Sequence, residues 1–148
     1  MERIPVAILG ATGMVGQRLV QRLAAHPQFR VVAVAASERS AGKSYREATV
    51  WRLPGEAFGE VGDLQVTRCE VSEMPEGVAL AFSALDSGPA KGIEDQFRRA
   101  GWAVVSNASA YREDPLVPLV IPEINPEHLS MLEAQPGDGF ILTNPNCS

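Results

Sequence analysis

Two places in the sequence gather residue types suited to binding or covalent chemistry. The first is Gly10-Ala-Thr-Gly-Met-Val-Gly16, whose glycines recur at i, i+3 and i+6. The second is Asn144-Pro-Asn-Cys-Ser148, which sets a thiol on a turn-forming sequence after the apolar Phe140-Ile-Leu142. A thiol attacks as its thiolate, and a helix beginning at such a turn would favour that form. Backbone N–H groups there, with the Asn146 side chain, would then stabilise an oxyanion on a carbonyl carbon attacked by Cys147. Spacing alone leaves Cys147 equally open to an unreactive role.

The glycine turn gains meaning from its flanks. It follows the apolar run Val6–Leu9 and precedes a helix carrying Val15, Leu19, Val20 and Leu23 on one stripe. In that setting the missing Cβ atoms let backbone N–H groups approach a pyrophosphate, toward which the helix N-terminus adds partial positive charge. Gly16 lets the helix pack close to the strand. The candidate cofactor contacts are therefore Gly10, Thr12, Gly13, Met14, Val15 and Gly16. A tight turn with no ligand is the plain alternative, and the context favours a nucleotide.

The tip of the second apolar run reads Ala36-Ser-Glu-Arg-Ser-Ala-Gly-Lys43. NAD-selective domains place an acid there to accept from the ribose 2′-hydroxyl. Here Ser37, Arg39 and Ser40 offer donors, and Arg39 and Lys43 offer charge, so a 2′-phosphate is accommodated and NADP is favoured over NAD. Glu38 is the competing feature. Ser83, Ala84 and Leu85 follow the third run, where small residues commonly line a cofactor crevice; an ordinary loop with Ser87 capping the next helix explains nearly as much.

These residues need a scaffold. Apolar runs at Val6–Leu9, Val31–Ala36, Val78–Phe82 and Ala103–Val105 suit strands buried on both faces. Helical spacing links Val15 to Leu23 and then Ile93, Phe97 and Ala100. The alternation predicts a doubly wound, mostly parallel Rossmann-type α/β sheet with helices on both faces. Ser44–Gly62 has no clear period and reads as loop with one short helix at most. Leu64–Cys69, Leu119–Ile121 and Phe140–Thr143 are further extended candidates, and a helix is expected from Pro126.

A formal net charge of −5 argues against nucleic-acid and anionic-membrane surfaces, which leaves small-molecule partners. No apolar run approaches the roughly 20 residues of a membrane span, and the N-terminus reads as a strand of a cytoplasmic protein. Two cysteines make no disulfide framework, and Cys69 reads as structural. His26 and His128 read as bystanders, and no cluster has metal-ligand spacing.

Taken together, Gly10–Gly16, Ala36–Lys43, Ser106-Asn-Ala-Ser-Ala-Tyr-Arg112, Val120-Ile-Pro-Glu-Ile-Asn125 and Asn144–Ser148 closely resemble aspartate-β-semialdehyde dehydrogenase, in its archaeal and fungal branch. The resemblance implies NADP-dependent reductive dephosphorylation of 4-phospho-L-aspartate to L-aspartate 4-semialdehyde, toward lysine, methionine and threonine. It implies that Cys147 is the nucleophile, displacing phosphate to give a thioester that a hydride then reduces. By the same resemblance Asn146 lines the oxyanion position, and Arg112, with Asn107 beside it, holds the substrate phosphate. A guanidinium suits that task through paired hydrogen bonds, whereas without the resemblance Arg112 would read as a loop arginine paired with Glu113 or Asp114.

Length is the departure. The family's acid/base histidine and its dimerisation sheet lie beyond its cysteine, so residues 1–148 are expected to be the NADP-binding Rossmann domain, ending at the catalytic cysteine. The catalytic and dimerisation domain would be absent from this chain. The complete enzyme is expected to be a homodimer or homotetramer, and the 148 residues alone to bind NADP weakly and not turn over. Two alternatives share the motifs: malonyl-CoA reductase, and a non-catalytic NADP-binding module in which Cys147 is unreactive.

Overall fold

The computed structural model describes residues 2–146, so Cys147 lies outside the described residues. Six strands form one sheet: β1 (Ile4–Leu9), β2 (Phe29–Ala36), β3 (Val66–Arg68), β4 (Leu80–Ser83), β5 (Ala103–Ser106) and β6 (Phe140–Thr143). Their order is β3-β2-β1-β4-β5-β6, and every pairing between them is parallel. The chain winds outward from β1 to one edge, then returns to β4 and winds to the other. That reversal leaves a crevice at the carboxyl ends of β1 and β4, where such sheets bind ligands.

Both faces of the sheet are buried, which explains the uninterrupted apolar runs. In β1, Val6 and Ile8 pack with Val20 and Leu23 of α1 (Met14–Leu23). Ala7 and Leu9 turn to the opposite face, where Phe97 of α3 (Ser87–Arg99) meets Trp102 edge-on at 4.9 Å. Pro5 is tolerated in this central strand because pairing with β4 begins only at Ala7.

Several elements differ from their sequence-based expectation. The third run becomes a strand only at Leu80, with Val78 buried in the approach to it. Leu119–Ile121 forms no strand and contributes a single bridge, Leu119 to Thr143. The helix from Pro126 is a 3-10 helix, Pro126–Ala134, with no buried residue to hold it as a regular α-helix.

Ser44–Gly62, read as loop with one short helix at most, holds such a helix. Ser44 and Glu47 form a capping box that starts α2 (Tyr45–Ala48), and a 3-10 turn follows at Gly59–Asp63. Tyr45 is fully buried in the α1-side core. Its hydroxyl and the side chain of Gln17 tie this segment to the glycine turn.

Candidate functional site

The glycine turn is built by exclusion. Gly10 adopts φ +75°, and a Cβ there would stand 2.6 Å from the Ala84 carbonyl oxygen. A Cβ on Gly16 would stand 2.1 Å from the Gly10 oxygen, so it is against the turn itself that α1 packs. Gly13 differs: the nearest atom to a Cβ is 3.9 Å away, leaving open space above the turn.

Gly13 is also the N-cap of α1, and it gives the helix no side-chain cap; no acid stands in the first turn. The first N–H groups of a helix have no intrahelical partner, so they remain available to an anion together with the helix dipole.

Two buried polar side chains hold this turn from behind. The Tyr45 hydroxyl donates to the Ala11 carbonyl at 2.7 Å. Burial pushes the Tyr45 phenol up to about 12. The Gln17 amide donates to the Thr12 and Val50 carbonyls, both at 3.0 Å, while its oxygen accepts from Arg52 N–H at 2.8 Å. The turn is thus fastened to residues more than thirty positions away, and nothing in its own motif signals either contact.

In front of the turn lies a cleft of about 690 Å³, within the size range of small-molecule and cofactor sites. Gly10, Thr12, Gly13, Ser37, Arg39, Ala84 and Leu85 line it, as do Glu38, Arg68 and Cys69. Met14, Val15, Gly16, Ser40 and Ser83 are not among its walls. Ser83 shares a strand face with Ala81, so its side chain turns into the core; its candidate role as a cofactor contact is not supported by this placement. Ser87 does not cap α3 either: its hydroxyl shares a 2.6 Å hydrogen bond with that of Ser109, and the N-cap is Asp86.

The cations of the cleft are not equivalent. Arg68 is bound to Glu73 at 2.7 Å and to Glu70 at 3.6 Å, and the Glu73 hydrogen bond holds its pKa above the ordinary value. Among the described residues no ion pair involves Arg39 or Lys43. Cys69 faces the cleft partly buried, its thiol 3.8 Å from the Ala36 carbonyl, and burial pushes it up to about 11. A thiol so perturbed is a poor nucleophile.

A second polar cluster sits beyond β5. Arg112 donates through Nε to the Asn144 carbonyl at 3.0 Å and through Nη2 to the Asn107 carbonyl at 2.9 Å. It joins no ion pair among the described residues, so the pairing with Glu113 or Asp114 is not formed. The Asn144 amide also donates to the Asn107 side-chain oxygen. Asn107, Arg112 and Asn144 are therefore one unit, two residues short of Asn146 and three short of Cys147.

Glu94 was not singled out by the sequence, yet it is a charged residue with no exposure. Its Oε2 accepts from the Ser83 and Ser106 hydroxyls, each at 2.9 Å, and its Oε1 is buried without a hydrogen-bond partner among the described residues. Burial raises its pKa, and the bonds from Ser106 and Ser83 oppose that shift. His26 and His128 stand away from the cleft, His26 accepting from the Gln28 N–H and His128 beside Asn125. Among the described residues no group of His, Cys, Asp and Glu is arranged to hold a metal, and no helix is long and apolar enough to cross a membrane.

A glycine turn feeding an uncapped helix at the switch point of a doubly wound parallel sheet defines a Rossmann-type dinucleotide-binding domain. The chain belongs to the semialdehyde dehydrogenase family, its residues 5–132 matching the NAD binding domain of that family. It is 47% identical over 150 residues to aspartate-semialdehyde dehydrogenase of Archaeoglobus fulgidus, covering 99% of this chain and 43% of that protein. With the enzyme of the same name from Methanothermobacter thermautotrophicus it shares 48% over 149 residues, covering 98% and 42%. The crystal structure of aspartate semialdehyde dehydrogenase with NADP from Candida albicans superposes with a TM-score of 0.89 at 39% identity, covering 99% of this chain and 43% of that one. The chain thus spans about two fifths of the length of these relatives.

Proposed function

We propose that residues 1–148 are the NADP-binding part of an aspartate-semialdehyde dehydrogenase, the enzyme that makes L-aspartate 4-semialdehyde from 4-phospho-L-aspartate on the way to lysine, methionine and threonine. The observation that carries this reading is the uncapped N-terminus of α1 at Gly13, opening on a cleft that Arg39 also lines. An anionic pyrophosphate suits the first and a 2′-phosphate the second. A homologue solved with NADP supports the same choice of cofactor. The fit is also steric, since the space a Cβ would fill at Gly13 is open.

When bound, the reduced cofactor supplies a hydride. The residues of this chain receive the cofactor and the substrate phosphate and provide the nucleophile. Gly10, Thr12 and Gly13 receive the pyrophosphate, and Ser37 and Arg39 receive the 2′-phosphate. Arg112 has five N–H donors, and the two committed to the Asn107 and Asn144 carbonyls fix its plane. The others remain to hold a substrate phosphate beside Asn107. Cys147 attacks the acyl carbon, forming a C–S bond as the C–O bond to phosphate breaks, and Asn146 steadies the oxygen left with the charge.

Calorimetric titration tests the cofactor half of this reading. The 148-residue chain should bind NADP more tightly than NAD, though more weakly than the full-length relatives do. Preference for NAD would overturn it. The same chain should show no turnover with aspartate semialdehyde, phosphate and NADP. A rate comparable to the full-length enzymes would show that these residues suffice.

A further inference from the structure

Glu94 takes no part in the chemistry above, and its surroundings are unusual for a carboxylate. It lies midway along α3 with no exposure, and no cation is paired with it among the described residues. Its partners are two hydroxyls at matched places in the sheet, since Ser83 and Ser106 are register partners at the carboxyl ends of β4 and β5. A buried ionisable side chain costs stability unless it is bonded, so a core position held by glutamate in place of an aliphatic residue indicates a directional task.

That task can be followed bond by bond. Ser106 Oγ, while donating to Glu94, accepts from the Ala108 N–H at 3.1 Å. The Asn107 N–H donates to the Ser83 carbonyl at 2.8 Å, and the Asn144 N–H donates to the Ser106 carbonyl at 3.1 Å. The two residues that Glu94 links thus carry, through their backbones, the two residues that Arg112 bridges. We propose that Glu94 is a positioning residue, whose side-chain oxygen locks Ser83 to Ser106 and so sets where Asn107, Arg112 and Asn144 meet. The consequence for substrate rests on the reading in which Arg112 holds phosphate.

The test uses the 148-residue chain with ¹⁵N-labelled arginine, reading the Arg112 Nε–H resonance, assigned by Arg112→Lys, during titration with inorganic phosphate at constant ionic strength. Glu94→Gln keeps an oxygen able to accept both hydroxyls and should leave the resonance and the phosphate affinity near wild type. Glu94→Met removes the acceptor at similar volume. It should displace the resonance and weaken phosphate about tenfold, the size of one lost hydrogen bond to a charged group, while leaving NADP affinity unchanged. Ser106→Ala should act in the same direction, and it decides the matter if Glu94→Met fails to fold.

An unmoved Arg112 resonance in Glu94→Met or Ser106→Ala would overturn the proposal. So would equal losses of phosphate and NADP affinity, which mark a general loosening of the domain. A wild-type resonance indifferent to phosphate, but displaced in Glu94→Met, would remove the phosphate role of Arg112 and leave the positioning role standing.

Discussion

The hydroxyl of Tyr45 reaches across 34 residues of sequence to donate to the carbonyl of Ala11, inside the glycine turn. Phenylalanine at this position would keep the packing and orphan a buried carbonyl. Tyr45→Phe should therefore cost about 1–3 kcal/mol, seen as a drop of several degrees in thermal melting.

The same contact gives the domain an alkaline limit. Below pH 10, the ordinary tyrosine value, folded and unfolded chains both hold the phenolic proton. Between pH 10 and about 12 the unfolded chain releases it and the folded chain retains it, so stability falls as pH rises. In a Cys69→Ser background, which removes the thiol's own alkaline contribution, wild-type Tyr45 should lose more stability across this range in urea melts than Tyr45→Phe, the contribution of Tyr111, which burial also raises, being common to both. Parallel pH profiles would refute it.

Much of this could be read from the sequence because it is local. Glycines at 10 and 16 are forced by contacts within the turn and with Ala84, and the strands announce themselves as apolar runs because both faces are covered. What could not be read depends on partners distant in sequence. Gln17 looks like one polar residue of a helix, and its bonds to Val50 and Arg52 exist only once α2 has folded over the turn. Ser83 looks like a crevice residue until strand parity turns it toward Glu94. Glu94 itself, in the polar-looking Ile93-Glu-Asp-Gln96, carries no sign of burial.

The glycines should separate folding from binding. Gly16→Ala places a Cβ 2.1 Å from the Gly10 carbonyl oxygen, a backbone clash that nothing flexible can relieve, and the chain should not fold. Gly13→Ala meets nothing closer than 3.9 Å and should melt within a few degrees of wild type. In the proposed binding mode its methyl group nonetheless stands where the pyrophosphate approaches, so NADP affinity should fall about tenfold or more by calorimetry. Retained affinity would move the dinucleotide off this turn.

Arg39 and Arg68 allow a test of cofactor choice. Arg68 is neutralised by Glu73 and Glu70, whereas Arg39 has no carboxylate partner among the described residues. Arg39→Ala should weaken NADP about tenfold or more and leave NAD within about twofold, because only the former carries the 2′-phosphate. Equal losses for the two cofactors would assign Arg39 to the common part of the ligand.

Cys69 offers a reporter of the cleft that does not depend on turnover. With Cys147→Ser it is the remaining thiol, and burial holds it near 11 against an ordinary value of 9.0. Two units of pKa leave about a hundredth of the usual thiolate at a given pH, and the thiolate is the species that alkylates. Iodoacetamide should therefore modify the folded chain about a hundredfold more slowly than the same chain in denaturant, measured by mass spectrometry near pH 8. Because the thiol lies on the wall of the cleft beside Arg68 and Ala36, saturating NADP should slow it further. Labelling at the denatured rate would show that Cys69 is not held in this environment, and labelling unaffected by NADP would place the cofactor elsewhere.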